Sequence, residues 1–188
     1  THMTTTLEQR LAGFTRPRYA RTVRGAEAYR ETTEIASQEL TRLVALYHAS
    51  QGRQTLRLLR DSMDHWLRRV HGYSIEGGAG VHYRERVTRN HLPPPRTVFE
   101  HVIPAAQLRD MLLAGVLTPA EALNPPTCTV TRTTDAHLRR CGAVSVNTTP
   151  WHFFRRYASV PGLVIETRHG HTVDLDAWTL EDHYRLFA

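Results

Sequence analysis

Glu100 and His101 stand side by side in the stretch Val98-Phe99-Glu100-His101-Val102-Ile103-Pro104. The flanking residues are apolar and rich in β-branched side chains, so the stretch reads as a strand, and alternation along a strand sends neighbouring side chains to opposite faces. A carboxylate and an imidazole are not both at ease in an apolar core, so at least one of them meets solvent, a partner or an ion. Asn124 follows downstream, and His137 comes thirteen residues after it. The order His101, Asn124, His137 is the arrangement on which a functional reading turns, because an imidazole titrates near neutrality and suits both proton transfer and ion binding.

The elements that must position these residues follow from pattern. Residues 4–23 form a polar arm with Arg10, Arg16, Arg18 and Arg21, interrupted by Pro17. Ile35, Leu40, Leu43, Val44 and Tyr47 recur at helical spacing and predict a helix over residues 26–50, ended by Gly52. A second helix over residues 53–70 carries Leu56, Leu59, Met63, Trp66, Leu67 and Val70 on one face and Arg53, Arg57, Arg60, Arg68 and Arg69 on the other. The short link between them predicts an antiparallel helical hairpin. Gly72 and the run Gly77-Gly78-Ala79-Gly80 punctuate the chain as a turn, since the run lacks the Lys-Ser/Thr of a phosphate loop. A strand over residues 81–87 and a stiff Pro93-Pro94-Pro95 spacer lead to Glu100-His101.

Beyond Pro104 the pattern predicts a short helix over residues 105–114 and a capped helix start at Thr118-Pro119-Ala120-Glu121. Thr127-Cys128-Thr129-Val130-Thr131 reads as a strand, followed by a helix to Arg140 with Thr133 or Thr134 as its cap and Asp135 in its first turn. Strand, long loop, strand and helix make a ββα unit. In the tail, Trp151, Phe153, Phe154 and Tyr157 predict a helical turn or two on the core, residues 163–167 and 172–175 a hairpin around Gly170, and residues 180–187 a closing helix capped by Thr179. The expected fold class is α+β: an N-terminal helical hairpin region, the ββα core, and a small C-terminal hairpin plus helix.

The chain has 188 residues, net charge +6, 24 basic residues and no lysine among them. Residues 1–96 hold 16 Arg against 9 acids, +7, whereas residues 97–188 hold 8 Arg against 9 acids, −1. A GC-rich coding bias accounts for the missing lysine but not for the asymmetry. Arginine in excess on one half of a basic chain fits a polyanionic partner. Cys128 and Cys141 form neither a CxxC zinc knuckle nor a disulfide framework and read as small buried hydrophobes. No run is long and apolar enough to span a membrane, Thr1-His2-Met3 reads as a vector remnant, and no secretory signal follows it, so the expected location is the cytoplasm.

A ββα unit with acid-His at the end of its first strand, Asn before the second and His on the helix resembles the HNH branch of the His-Me finger (ββα-metal) endonucleases. The resemblance covers residues 97–141, with Glu100-His101-Val102-Ile103-Pro104 as the acid-His-x-x-Pro signature. It departs from the family in lacking the paired CxxC knuckles and the Gly-Gly after the motif. The resemblance implies a metal-dependent endonuclease in which His101 is the general base, Glu100 and His137 hold one divalent cation on the scissile phosphate, and Asn124 orients His101. The implied ion is Mg²⁺ first, with Mn²⁺, Ni²⁺ or Zn²⁺ also compatible with a mixed N/O site. Asp135 is either a further ligand or a helix-dipole partner, and Asn124 before Pro-Pro is equally a turn residue. His169 and His171 fall in the hairpin turn as surface residues, and His65, His71, His82 and His91 have no assigned partner. The division that follows is residues 1–3 remnant, 4–96 basic helical region contacting nucleic acid through Arg53, Arg57, Arg60, Arg68 and Arg69, 97–141 nuclease core, and 142–188 extension packing on that core. The expected partner is DNA, with no membrane, and a homodimer if the cut is a palindromic double-strand cut. The alternative is a non-catalytic nucleic-acid-binding protein that uses the arginine face alone.

Overall fold

The computed structural model describes residues 26–76, 81–89, 96–140 and 150–187, with side chains of the first helix from residue 30 and of the second up to residue 70. The arm at residues 4–23, the glycine run, the Pro93–Pro95 spacer and Cys141 lie outside the described residues.

Helix α1 spans Ala26–Ala49 and α2 spans Arg53–Glu76. Gly52 turns the chain between them at φ +98°, a conformation open to glycine and costly to other residues. The buried stripe of α1 is Ala36, Leu40 and Leu43, at i, i+4 and i+7. Ile35, expected on that stripe, lies one position off it and is 53% exposed. In α2 the stripe Leu59, Met63, Leu67 and Val70 is buried, as the pattern predicts. This helix runs on through Gly72 to Glu76, since one interior glycine costs only about 1 kcal/mol and does not by itself stop a helix.

Strands β1 (Tyr83–Glu85), β2 (Thr97–His101), β3 (Thr127–Thr131) and β4 (Ile165–Thr167) form one sheet in the order β2-β3-β1-β4. β2 and β4 pair antiparallel to their neighbours, and β1 pairs parallel with β3. Helices α3 (Ala105–Leu113) and α4 (Pro119–Ala122) fill the connection from β2 to β3. Thr118 and Glu121 form the predicted capping box at the start of α4. Helix α5 (Arg132–Arg140) leaves β3 directly. Its N-terminal hydroxyl is Thr131, not Thr133 or Thr134: Thr131 Oγ1 accepts the Thr134 N–H at 3.2 Å. The difference of two or three residues arises because the helix begins at once where the strand ends, with no loop between them.

Glu85 completes that junction. Its buried carboxylate accepts the Thr131 backbone N–H at 2.7 Å and the Thr134 hydroxyl at 3.0 Å, where the positive end of a helix favours negative charge. In the tail, Phe153, Phe154 and Tyr157 are buried on 3-10 turns, but Trp151 is 47% exposed. The predicted hairpin survives as β4 with one further bridge, Glu166 to Thr172. Helix α6 (Leu180–Phe187) closes the chain, with Thr179 capping Asp182 N at 3.2 Å. One hydrophobic cluster joins α1, α2 and the sheet, from Leu40 and Met63 to Val130 and Ile165. The architecture is α+β: N-terminal helices and a small mixed sheet with further helices.

Removing the Glu85 carboxylate strands a buried hydroxyl and a part-buried backbone N–H, each worth about 1–3 kcal/mol. Glu85→Ala is expected to lower the urea midpoint by an amount equivalent to about 2–4 kcal/mol, with an unchanged m-value.

Candidate active site

The five-residue β2–β3 ladder sets Glu100 opposite Cys128, Phe99 opposite Thr129 and His101 opposite Thr127. Directly paired residues share a face, so Glu100 and His101 point to opposite sides of the sheet. On Glu100's side lie buried Cys128 and Tyr83. There the carboxylate is held by two residues of the tail: Tyr157 donates its hydroxyl to Oε2 at 2.7 Å, and Arg156 donates Nη2 to Oε1. The Arg156 guanidinium also lies 5.0 Å over the Tyr157 ring. Burial pushes both the Tyr157 hydroxyl and the Cys128 thiol well above their ordinary values, so both are protonated at neutral pH.

His101 is half-buried, its ring edge-on to Phe99 at 5.3 Å between centroids. Burial, reinforced by the positive charge of Arg68, lowers its pKa to about 4. At pH 7 it is a neutral imidazole beside a permanent cation, able to accept a proton. Arg68 is the last of a row on α2, Arg53, Arg57, Arg60, Asp64 and Arg68, spaced by three or four residues on one side of the helix. Arg69 lies off this row and is half-buried.

The upper part of the row lines a cleft of about 770 Å³ bounded by Arg53, Gln54, Leu56, Arg57, Arg60, Asp61 and Arg109. Two of these cations are fixed in place. Arg60 donates to the Tyr47 hydroxyl at 2.8 Å and lies 5.5 Å over its ring. Arg109, from α3, donates to Asp64 at 2.8 Å and to Asp110 at 3.0 Å. Arg109 is the member of the cleft that sequence reading missed, because it reaches the row from another helix.

Asn124 belongs to a buried histidine network. Its side-chain oxygen meets His82 Nε2 at 2.9 Å, its amide donates to the Phe187 carbonyl at 2.9 Å, and its own carbonyl meets His183 Nε2 at 2.9 Å. Thr127 Oγ1 meets His82 Nδ1 at 2.8 Å, and Tyr83 Oη meets His183 Nδ1 at 3.0 Å while accepting the Trp178 indole N–H. The imidazole that Asn124 holds is therefore His82, and the network ties β1, the loop before β3 and α6 together. Its signal in the sequence was His183 on the inner stripe of α6 with Leu180, Tyr184 and Phe187, at i+3, i+4 and i+7 from Leu180. His137 lies on α5, half-buried, with no hydrogen-bond partner for its buried Nε2 among the described residues. Asp135 is engaged by Arg139 at 3.1 Å.

A divalent ion held by Glu100 and His137 would share the carboxylate with Arg156 and Tyr157, since each oxygen of Glu100 already accepts one hydrogen bond. Among the described residues no group of three or more His, Cys, Asp or Glu is gathered to hold an ion. Comparison of the chain with family models, curated proteins and solved structures gives no match.

Burial holds His82 near pKa 4 and His183 near 3, against 6.5 for a free imidazole. Between about pH 6.5 and these values the unfolded chain binds more protons than the folded one, so stability rises with pH there and falls on acidification. Each histidine contributes up to about 1.4 kcal/mol per pH unit within its window. Tm is expected to be level above about pH 7 and to drop steeply from pH 6.5 to 4, with a shallower slope in His183→Gln. A level Tm across that range would show that these imidazoles are not buried neutral.

Proposed function

We propose that the chain is an endonuclease that hydrolyses DNA phosphodiester bonds, with His101 as the general base and the arginine row of α2 holding the backbone. The observation that supports this reading most is a half-buried, neutral imidazole within the electrostatic reach of Arg68, the last cation of that row. The proposed chemistry follows from the electrostatics. Burial is the larger cause of the lowered His101 pKa, and a phosphate drawn to Arg68 brings negative charge close to the ring and offsets the smaller part due to the cation. Substrate binding therefore strengthens the base at the moment it is needed. His101 takes a proton from water as the water oxygen attacks phosphorus, the P–O bond to the leaving sugar oxygen breaks and that oxygen takes up a proton from solvent, and Arg68 bears on the charge that develops on the phosphate oxygens.

In the metal-dependent form implied by the family resemblance, Glu100 and His137 would hold the ion and Arg156 would compete with it for the carboxylate. Glu100 serves here as the anchor that fixes β2 to the tail. The engagement of Glu100 by Arg156 also favours a second reading, a non-catalytic nucleic-acid-binding protein working through the arginine cleft alone.

Plasmid nicking by wild type and His101→Ala, in Mg²⁺, in Mn²⁺ and in EDTA, separates these readings. The proposal predicts cutting by wild type and a loss of at least 100-fold in the variant, within the range for removal of a general base, with DNA binding nearly intact. Cutting that vanishes in EDTA would restore the ion and make Arg156 its competitor. Retention of DNA without cutting under any condition would establish the binding protein. Nicked circles would indicate a monomer, and linear product a dimer.

A further inference from the structure

The sheet face that carries Phe99 and His101 continues across β3 to β1 and β4. Phe99 faces Thr129, Thr129 faces Arg84, and Arg84 faces Glu166. Glu166 is fully buried, and its carboxylate is approached by three guanidinium groups. Arg84 Nε lies 2.9 Å from it, and the Nε atoms of Arg86 and Arg89 lie 3.5 Å from it. One guanidinium is enough to neutralise a buried carboxylate. Three leave two surplus positive charges, and the arginines that supply them, Arg86 and Arg89, are 49% and 42% exposed.

These side chains are held in place. Arg86 Nη2 donates to the Thr172 hydroxyl. Arg89 lies against the turn at Gly170, where φ is +89° and an added Cβ would come within 2.6 Å of Arg89 Nη2. The absence of a side chain at Gly170 makes room for that guanidinium. In all three arginines Nε is the nitrogen nearest Glu166, so the planar fork that recognises oxyanions is carried on a fixed base.

We propose that Arg84, Arg86 and Arg89, organised on Glu166, form a second oxyanion site that takes a phosphate of the nucleic-acid backbone at a distance from His101. The proposal rests on the reading of the chain as a protein that acts on nucleic acid. The geometry gives the distance. β1 and β4 lie two and three strand spacings from β2, roughly 10–14 Å. The second phosphate is then one that lies within a few nucleotides of the one at His101. The arginines of α2 and of the Glu166 cluster then both hold the backbone that passes His101, and the site fixes register without reading sequence.

The test is the salt dependence of binding to a labelled duplex in EDTA, for wild type and for Arg86→Ala/Arg89→Ala, with Tm confirming that the variant folds. Both arginines are exposed, and Arg84 still neutralises Glu166 in the variant. The expected result is a slope of log K against log salt that is shallower by about two in the variant. An unchanged slope overturns the second site and leaves the endonuclease reading standing. If wild type binds no DNA at all, the endonuclease reading fails, and thermal stabilisation by inorganic pyrophosphate decides the site. Stabilisation of wild type that the double variant loses keeps the site as one for a free phosphate compound, and its absence, or equal stabilisation of both proteins, overturns the site.

Discussion

The register of β2 against β3 is the constraint on which the rest depends. A period of two forces adjacent residues apart, so the pairing of Glu100 with Cys128 and of His101 with Thr127 commits the carboxylate to one side of the sheet and the imidazole to the other. Glu100 enters the side that Arg156 and Tyr157 cover. His101 faces the side that reaches Arg68 and, across the strands, Arg84 and Glu166. A slip of one residue would exchange these environments, leaving an anion beside Arg68 and burying an imidazole against Arg156.

Three sheet-borne carboxylates show how far the fold goes to accommodate buried charge. Glu85 is satisfied by a helix start, a backbone N–H and a hydroxyl. Glu100 is satisfied by one guanidinium and one phenol. Glu166 gathers three guanidinium groups. Burial alone would raise the Glu166 pKa, but its arginines outweigh that effect and hold it below the usual carboxylate range. The first is met by neutral donors at a helix start and the second by a single cation, and both hold elements together. The third carries surplus cation, and that excess sets it apart from a purely structural pair.

Much of the secondary structure was legible because it rests on local signals. The stripes of α1 and α2, the capping box at Thr118, the β-branched run of β3 and the cap at Thr179 each announce themselves within a few residues. What was not legible depends on partners distant in sequence. Asn124 meets His82 and His183, residues 42 and 59 positions away, and Glu100 meets Arg156 and Tyr157, 56 and 57 positions away. Arg109 enters the arginine cleft from α3. Spacing along the chain placed Glu100, His101, Asn124 and His137 on the strand, loop and helix where they occur. It could not say which polar group would claim each of them, since that is decided by the packing of the tail against the sheet.

The central claim concerns the state of His101, and side-chain NMR of its imidazole tests it most directly. The account predicts a resonance that titrates near pH 4 in the free protein, chiefly through burial, and shifts upward when a phosphorothioate duplex is added, as phosphate charge offsets the share due to Arg68. An imidazole that titrates at its ordinary value and is indifferent to the duplex would contradict it, and would return His101 to the surface of an unremarkable strand.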